Sequence, residues 1–113
     1  MNDHEPTLAT LDPDILVCLD TVIDPEIGLS IVDLGLVYRA ARTPEGIQVS
    51  ITLTTRACPI GEMILDDIRE RLAARFQDVN RIDVNLVWEP LWHPGRISSR
   101  GLKRLRNPRG EVA

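Results

Sequence analysis

Residues 34–76 decide the fold, and they read LGLVYRAARTPEGIQVSITLTTRACPIGEMILDDIRERLAARF. Within this segment, residues 47–53 alternate apolar and polar side chains, which is the pattern of a half-buried strand. Residues 34–41 predict a second strand, and the turn formers at 44–46 between the two indicate an antiparallel hairpin. A helix is predicted to begin at Pro59. Its apolar residues recur every four positions, at Ile60, Ile64, Ile68, Leu72 and Phe76.

The flanking segments add two helices and one strand. The pair Asp12-Pro13 is typical of a helix N-cap and first turn, so a first helix is predicted there, ending before Pro25. Residues 82–88 alternate again and predict a third strand. Residues 98–105 predict a short C-terminal helix, capped by one of the two serines at its start.

This order, α-β-β-α-β-α, indicates the α+β class: a small single-domain sandwich with a three-strand mixed sheet packed by helices. The strand at 47–53 reaches the strand at 82–88 through a helix, so these two are predicted to be parallel. We assign residues 1–10 to a flexible N-terminus, 11–105 to the domain and 106–113 to a basic C-terminal tail.

Composition excludes several classes of protein. The chain has 113 residues, 43% of them hydrophobic and 27% charged, the mix of one globular domain. No apolar stretch approaches the roughly 18–20 residues of a membrane span, and the acidic N-terminus has no secretory signal. The two cysteines do not make a disulfide scaffold. We therefore expect a cytoplasmic protein that does not bind membranes.

Charge is distributed unevenly along the chain. Residues 1–95 have a net charge of −9, whereas residues 96–113 have a net charge of +5. The basic end can bind an acidic partner, with Arg100 and Arg104 as candidate contacts, or it can pair with the carboxylates of its own chain. No aromatic residue lies between its arginines to stack on bases, so nucleic-acid binding is not expected.

Cys58 is the strongest candidate for chemistry. It directly precedes the helix predicted at Pro59, where unpaired backbone N–H groups and the helix dipole stabilise a thiolate and lower its pKa. Such a thiolate can be a nucleophile, a ligand to iron or to a cluster, or a redox sensor. The alternative is an inert buried cysteine, which is the role we predict for Cys18.

Other polar residues are weaker candidates. Thr54 and Thr55 can orient a ligand, or can bond locally at the end of a strand. The carboxylates of Asp24 and Glu26 can act as acid/base groups or metal ligands, although a DPE sequence is also an ordinary turn. His93 is expected to be a surface histidine. The sequence contains no CxxC, HExxH, GxSxG or glycine-rich phosphate loop.

Trp88 and Trp92 have two interpretations. They can close one end of the core, which is the favoured interpretation, or they can form a docking surface for a partner.

Three segments resemble the signatures of the metal–sulfur cluster biosynthesis family. Asp24-Pro25-Glu26 with residues 31–38, IVDLGLVY, is similar to the first signature. Residues 52–59, TLTTRACP, are similar to the second, and residues 87–92, VWEPLW, are similar to the third. This family is also called domain of unknown function fifty-nine and includes the SUF-system T protein. The resemblance covers residues 11–105.

The resemblance implies a factor for iron–sulfur cluster assembly, a carrier or targeting adaptor and not an enzyme. It implies a pocket whose reactive thiol is Cys58, formed by Asp24, Glu26, Ile27, Thr54, Thr55 and Cys58. It further implies no tightly bound cofactor, a transient iron or iron–sulfur cargo, and partners such as a scaffold, a carrier ATPase or client apo-proteins. A homodimer is compatible, because one thiol per chain can pair across a two-fold axis.

Two departures from the family pattern are visible. Arg56 stands where many members have a small residue or proline, which makes the pocket more electropositive. No cysteine follows Cys58, which argues against the phenylacetate-degradation branch with its cysteine-rich zinc segment. Two other functions stay open: a protein-interaction adaptor using Trp88, Trp92 and the basic helix, and, as the weakest, a small thiol enzyme using Cys58 with His93 or a carboxylate.

Overall fold

A computed structural model describes residues 11–54 and 61–106. Its helices and strands follow one another in the predicted order, α-β-β-α-β-α, with a 3₁₀ turn at Pro94–Arg96 before the last helix. The elements are α1 (Pro13–Leu19), β1 (Val37–Thr43), β2 (Gly46–Ile51), α2 (Gly61–Arg75), β3 (Ile82–Leu86) and α3 (Ser99–Arg106).

The sheet has the order β1-β2-β3. β1 and β2 form the predicted antiparallel hairpin, in which Val49 lies opposite Ala40. β2 and β3 are parallel, with Val49 opposite Val84, as expected for two strands joined through a helix. The α+β fold with a mixed sheet is therefore confirmed.

The core lies between the sheet and helices α1 and α2. α1 packs against α2 and β1, and α2 packs against β3. Burial of these apolar side chains is the main stabilising contribution to the fold. The largest fully buried apolar side chains are Ile15, Leu19, Val22, Ile31, Leu34, Leu36, Ile47, Val49, Ile51, Ile68 and Leu72.

The first helix is shorter than the predicted helix, which extended to the residue before Pro25. α1 ends at Leu19, because the following residues pair with the next part of the chain and leave the helix. The Ile31 N–H donates to the Val22 carbonyl at 3.0 Å, and the Asp24 N–H donates to the Leu29 carbonyl at 2.9 Å. These backbone hydrogen bonds, made with residues five and nine positions away, replace those of a continued helix.

The first strand begins at Val37, three residues later than predicted. Residues 31–35 form turns instead, in which the Leu34 N–H donates to the Ser30 carbonyl and the Gly35 N–H to the Val32 carbonyl, both at 3.0 Å. Gly35 has φ = 74°, a conformation that does not continue into a strand.

The other boundaries differ by small amounts. β2 ends at Ile51 and β3 at Leu86, each two residues before the predicted end. The described part of the second helix begins at Gly61, and its predicted start at Pro59 lies outside the described residues. So do residues 1–10 and 107–113, whereas Arg106 is the last residue of α3.

Two helix caps follow the sequence prediction. The Asp12 carboxylate accepts hydrogen bonds from the N–H groups of Asp14 and Ile15, at 2.8 and 3.1 Å. The Ser98 hydroxyl oxygen accepts one from the Gly101 N–H at 2.9 Å, at the start of α3. Across residues 11–54 and 61–106, no helix is long and apolar enough to cross a membrane.

Candidate functional site

The loop at residues 24–28 is built around Asp24. This side chain is only 3% exposed. Its Oδ1 accepts hydrogen bonds from the N–H groups of Glu26 at 2.9 Å and Ile27 at 3.3 Å. The Asp24 carbonyl accepts another from the Gly28 N–H at 2.7 Å, and Gly28 has φ = 85°. Asp24 therefore fixes the loop from within.

Glu26 and Ile27 are the residues that this loop presents. Both side chains are exposed. Within this one turn, Asp24 is buried, whereas the side chains of Glu26 and Ile27 are exposed. Asp24 anchors the turn, while Glu26 and Ile27 are available to a ligand or a partner.

The second part of the predicted site follows β2. Thr54 is half-buried, and Thr55 and Cys58 lie outside the described residues. The two described ends of this segment are close together, because a Cβ added at Gly61 would lie 2.9 Å from Leu53 Cδ1. The start of α2 therefore packs beside the residue that precedes Thr54.

A cleft of about 440 Å³ lies between residues next to the first loop and the described start of α2. Ile23 and Pro25, from the first loop, line it together with Met63 and Ile64 of α2. Asp66, Asp67 and Glu70 extend the lining along α2. Residues beside the first motif and residues that follow the second thus line the same cleft, although they are about 40 positions apart in the sequence.

The described residues do not form a metal cage by themselves. Within 11–54 and 61–106 there is no group of three or more His, Cys, Asp or Glu side chains placed to hold a metal ion.

Cys18 is placed as predicted, in the core. It is buried, and its Sγ donates to the Arg71 carbonyl at 3.5 Å. Desolvation by burial raises the pKa of the Cys18 thiol, against the opposing effect of the nearby Arg75 and Arg71 charges. Cys18 is therefore protonated and poorly accessible at neutral pH.

This placement predicts that the two thiols react differently. We expect an aromatic disulfide reagent to modify Cys58 quickly in the native protein and Cys18 only after denaturation, because the thiolate is the reactive form. Rates measured on Cys18→Ala and Cys58→Ser chains assign each thiol. Fast native labelling of Cys18 in the Cys58→Ser chain would contradict this assignment.

The two tryptophans and His93 have structural contacts. Trp88 and Trp92 are half-buried and pack against the core. The Trp92 indole N–H donates to the Leu34 carbonyl at 2.7 Å. His93 is exposed, and its Nδ1 accepts from the Gly95 N–H at 3.1 Å. These contacts favour the interpretation that the tryptophans close the core.

Arg100 pairs with carboxylates of its own chain, which is one of the two alternatives that the sequence left open. It donates to the buried Asp33 carboxylate at 2.8 Å and to Asp20 at 2.6 Å. Asp33 also accepts from the Ser98 hydroxyl at 2.8 Å. Burial opposes ionisation of Asp20, but hydrogen bonds from Arg100 and Ser30 outweigh it and lower the pKa of Asp20.

These contacts attach α3 to the rest of the protein. The sequence does not predict that Asp33 is the partner of Arg100. The two residues are 67 positions apart, so no local spacing signals the contact. Arg104 is exposed on α3, and its charge also helps to lower the pKa of Asp20.

Comparisons with known proteins agree with this fold. The model of a family described as iron–sulfur cluster assembly protein matches residues 12–84. The chain is 36% identical over 89 residues to the Fe-S protein maturation auxiliary factor YitW of Bacillus subtilis (strain 168), covering 78% of this chain and 86% of that protein.

Two further proteins extend the comparison. The chain is 44% identical over 78 residues to the Fe-S protein maturation auxiliary factor SufT of Staphylococcus aureus (strain USA300), covering 68% of this chain and 88% of that one. A crystal structure of a domain of unknown function, DUF59, from Bacillus anthracis superposes with a TM-score of 0.80 at 32% identity. That alignment covers 93% of this chain and 98% of the other.

Proposed function

The chain belongs to the iron–sulfur cluster assembly protein family, and from this premise we propose that Cys58 is the group through which it acts. Its role is that of an iron–sulfur assembly and maturation factor. The proposal adds that it works as a carrier or targeting adaptor without catalytic turnover, and that iron or an iron–sulfur cluster is its transient cargo.

The cleft beside the 24–28 loop is the observation that supports this site most directly. It places Ile23 and Pro25 opposite Met63 and Ile64, which follow Cys58 by only five and six positions in the chain. On this basis we propose that a cargo held by Cys58 is handled beside the loop that presents the exposed Glu26 carboxylate.

The chemistry of a single thiol suits a carrier. Soft thiolate ligands bind iron and iron–sulfur clusters, and a stable cluster site takes four protein ligands. One cysteine per site holds such a cargo weakly, so that remaining positions are left for thiols of a donor or an acceptor protein. Release then requires no change in the fold.

The proposal includes the location and the partners. A free Cys58 thiol persists in a reducing cytoplasm, where we place the protein. Its partners belong to the iron–sulfur assembly machinery, and we infer a scaffold or carrier ATPase as donor and apo-proteins as clients. The exposed Glu26 and Ile27 side chains are candidate contacts for these proteins.

A cellular experiment tests the role of Cys58. In a strain that lacks the gene, we expect wild-type and Cys18→Ala chains to restore the activities of iron–sulfur enzymes, and Cys58→Ser to leave them several-fold lower at equal protein level. The Cys18→Ala chain is the matched control for loss of a thiol. Full restoration by Cys58→Ser would exclude a carrier that acts through this thiol.

The adaptor alternative receives less support from the described residues. It needs Trp88, Trp92 and the basic helix to be free for partners, but both tryptophans pack on the core. Arg100 is bound to Asp33 and Asp20 of its own chain. We therefore propose contact through the 24–28 loop and Cys58 in preference to the tryptophans.

A further inference from the structure

One face of α2 lines the outer part of the cleft. Met63, Asp66, Asp67 and Glu70 are spaced i, i+3, i+4 and i+7, which puts them on one helix face. Met63 is 63% exposed, and Ile23 on the opposite wall is 45% exposed. This face of α2 thus begins apolar and becomes acidic over about 10 Å of helix.

The acidic end of this face is only partly neutralised. Asp66 pairs with Arg69 at 3.0 Å, and Asp67 pairs with Arg71 at 2.9 Å. Glu70 is exposed and forms no ion pair within the described ranges. A ligand that fits this surface needs an apolar ridge for Met63 and Ile23 and a positive charge for Glu70.

Helix α3 has the complementary chemistry. At 100° per residue, two leucines lie side by side on the helix surface and two cations continue the same side, in the order Leu105, Leu102, Arg106 and Lys103. Leu102 is 41% exposed and Leu105 is 43% exposed. Lys103 and Arg106 form no ion pair with any carboxylate in the described part of the chain.

The outer surface of α3 is not covered by its own fold. No Cα of α3 lies within 8 Å of another described α-helix or of a strand. The helix is held at its start, by Ser98 and Arg100 on Asp33. It can therefore offer its leucines and cations to another molecule without leaving its own chain.

We propose that α3 of one copy docks in the cleft of a second copy, and that the contact is reciprocal. Leu102 and Leu105 then cover Ile23 and Met63, and Lys103 and Arg106 approach Glu70. Two such contacts related by a two-fold axis close the dimer. The opposite net charges of residues 1–95 and 96–113, −9 and +5, favour this pairing over self-repulsion.

Sedimentation equilibrium of the full chain tests this dimer. The variants reverse charges on one side of the contact and then on both sides together. We expect the wild-type chain to reach the mass of two chains in low salt. Glu70→Arg, or Lys103→Glu with Arg106→Glu, is expected to weaken association by at least about tenfold, since opposed like charges are costly. Combining all three substitutions in one chain restores complementary charges and is expected to restore the dimer.

A matched control separates this contact from net charge. Glu45 lies in the exposed β1–β2 turn and does not line the cleft, so Glu45→Arg makes the same charge change as Glu70→Arg and is expected to keep the dimer. A wild-type chain that stays monomeric would overturn the proposal and leave the cleft to another protein. Association that is unchanged by Glu70→Arg, or a triple variant that stays monomeric, would overturn it too. The result is independent of Cys58.

Discussion

Replacing Gly35 with alanine is expected to lower the free energy of unfolding by about 4 kcal/mol, the sum of backbone strain and overpacking. Gly35 has φ = 74°, which an L side chain rarely adopts. A Cβ at this position would lie 2.4 Å from the Arg96 carbonyl oxygen and 2.6 Å from the Arg96 Cβ. Both costs fall on the same residue, so we expect a large effect relative to the roughly 5–15 kcal/mol that stabilises a small domain.

Gly28 supplies the matched control. Its φ is 85°, but a Cβ added there meets no atom within 4 Å. Gly28→Ala is therefore expected to cost only the conformational term, about 1 kcal/mol. Urea denaturation of the two variants measures the difference, which isolates the contact with Arg96. Equal losses of stability in the two variants would show that the close approach to Arg96 contributes nothing.

Gly35 also shows what one family signature does physically. Because Gly35 has no side chain, the Arg96 backbone can lie against it. The Arg96 guanidinium carbon then lies 4.4 Å from the centroid of the Tyr38 ring. The neighbouring Leu34 carbonyl accepts the Trp92 indole N–H. The signature at residues 31–38 therefore joins the start of β1 to the segment after β3, and its role in the described structure is to hold the fold.

The sheet was predictable because its signals are local. Alternation at 47–53 and the turn residues at 44–46 determine the hairpin, and the intervening helix determines the parallel pairing. The early end of α1 was not predictable in this way. It depends on hydrogen bonds between Val22 and Ile31 and between Asp24 and Leu29, which periodicity does not record.

The candidate site shows the same limit. The DPE sequence indicated a polar loop, and the structure confirms a tight turn there. Sequence could not show that Asp24 would be buried as the anchor while Glu26 stays exposed. The pairing of Arg100 with Asp33 was likewise invisible, because a contact between residues 67 positions apart depends on the completed fold.

Cys58→Ser is expected to abolish binding of iron and sulfide. A serine hydroxyl is a hard, protonated ligand at neutral pH, whereas a thiolate is the soft ligand that iron–sulfur clusters use. No set of three or more potential ligands in the described ranges offers a substitute site. Cys18→Ala removes a thiol from the core and is expected to leave binding intact, because Cys18 is buried with a raised pKa.

Anaerobic reconstitution with iron and sulfide, followed by visible absorption and iron analysis, tests the central claim most directly. We predict that the wild-type and Cys18→Ala chains gain a visible chromophore with matching iron and sulfide, and that Cys58→Ser gains neither. Equal chromophore in Cys58→Ser, or no iron bound by the wild-type chain, would contradict a cargo held through Cys58.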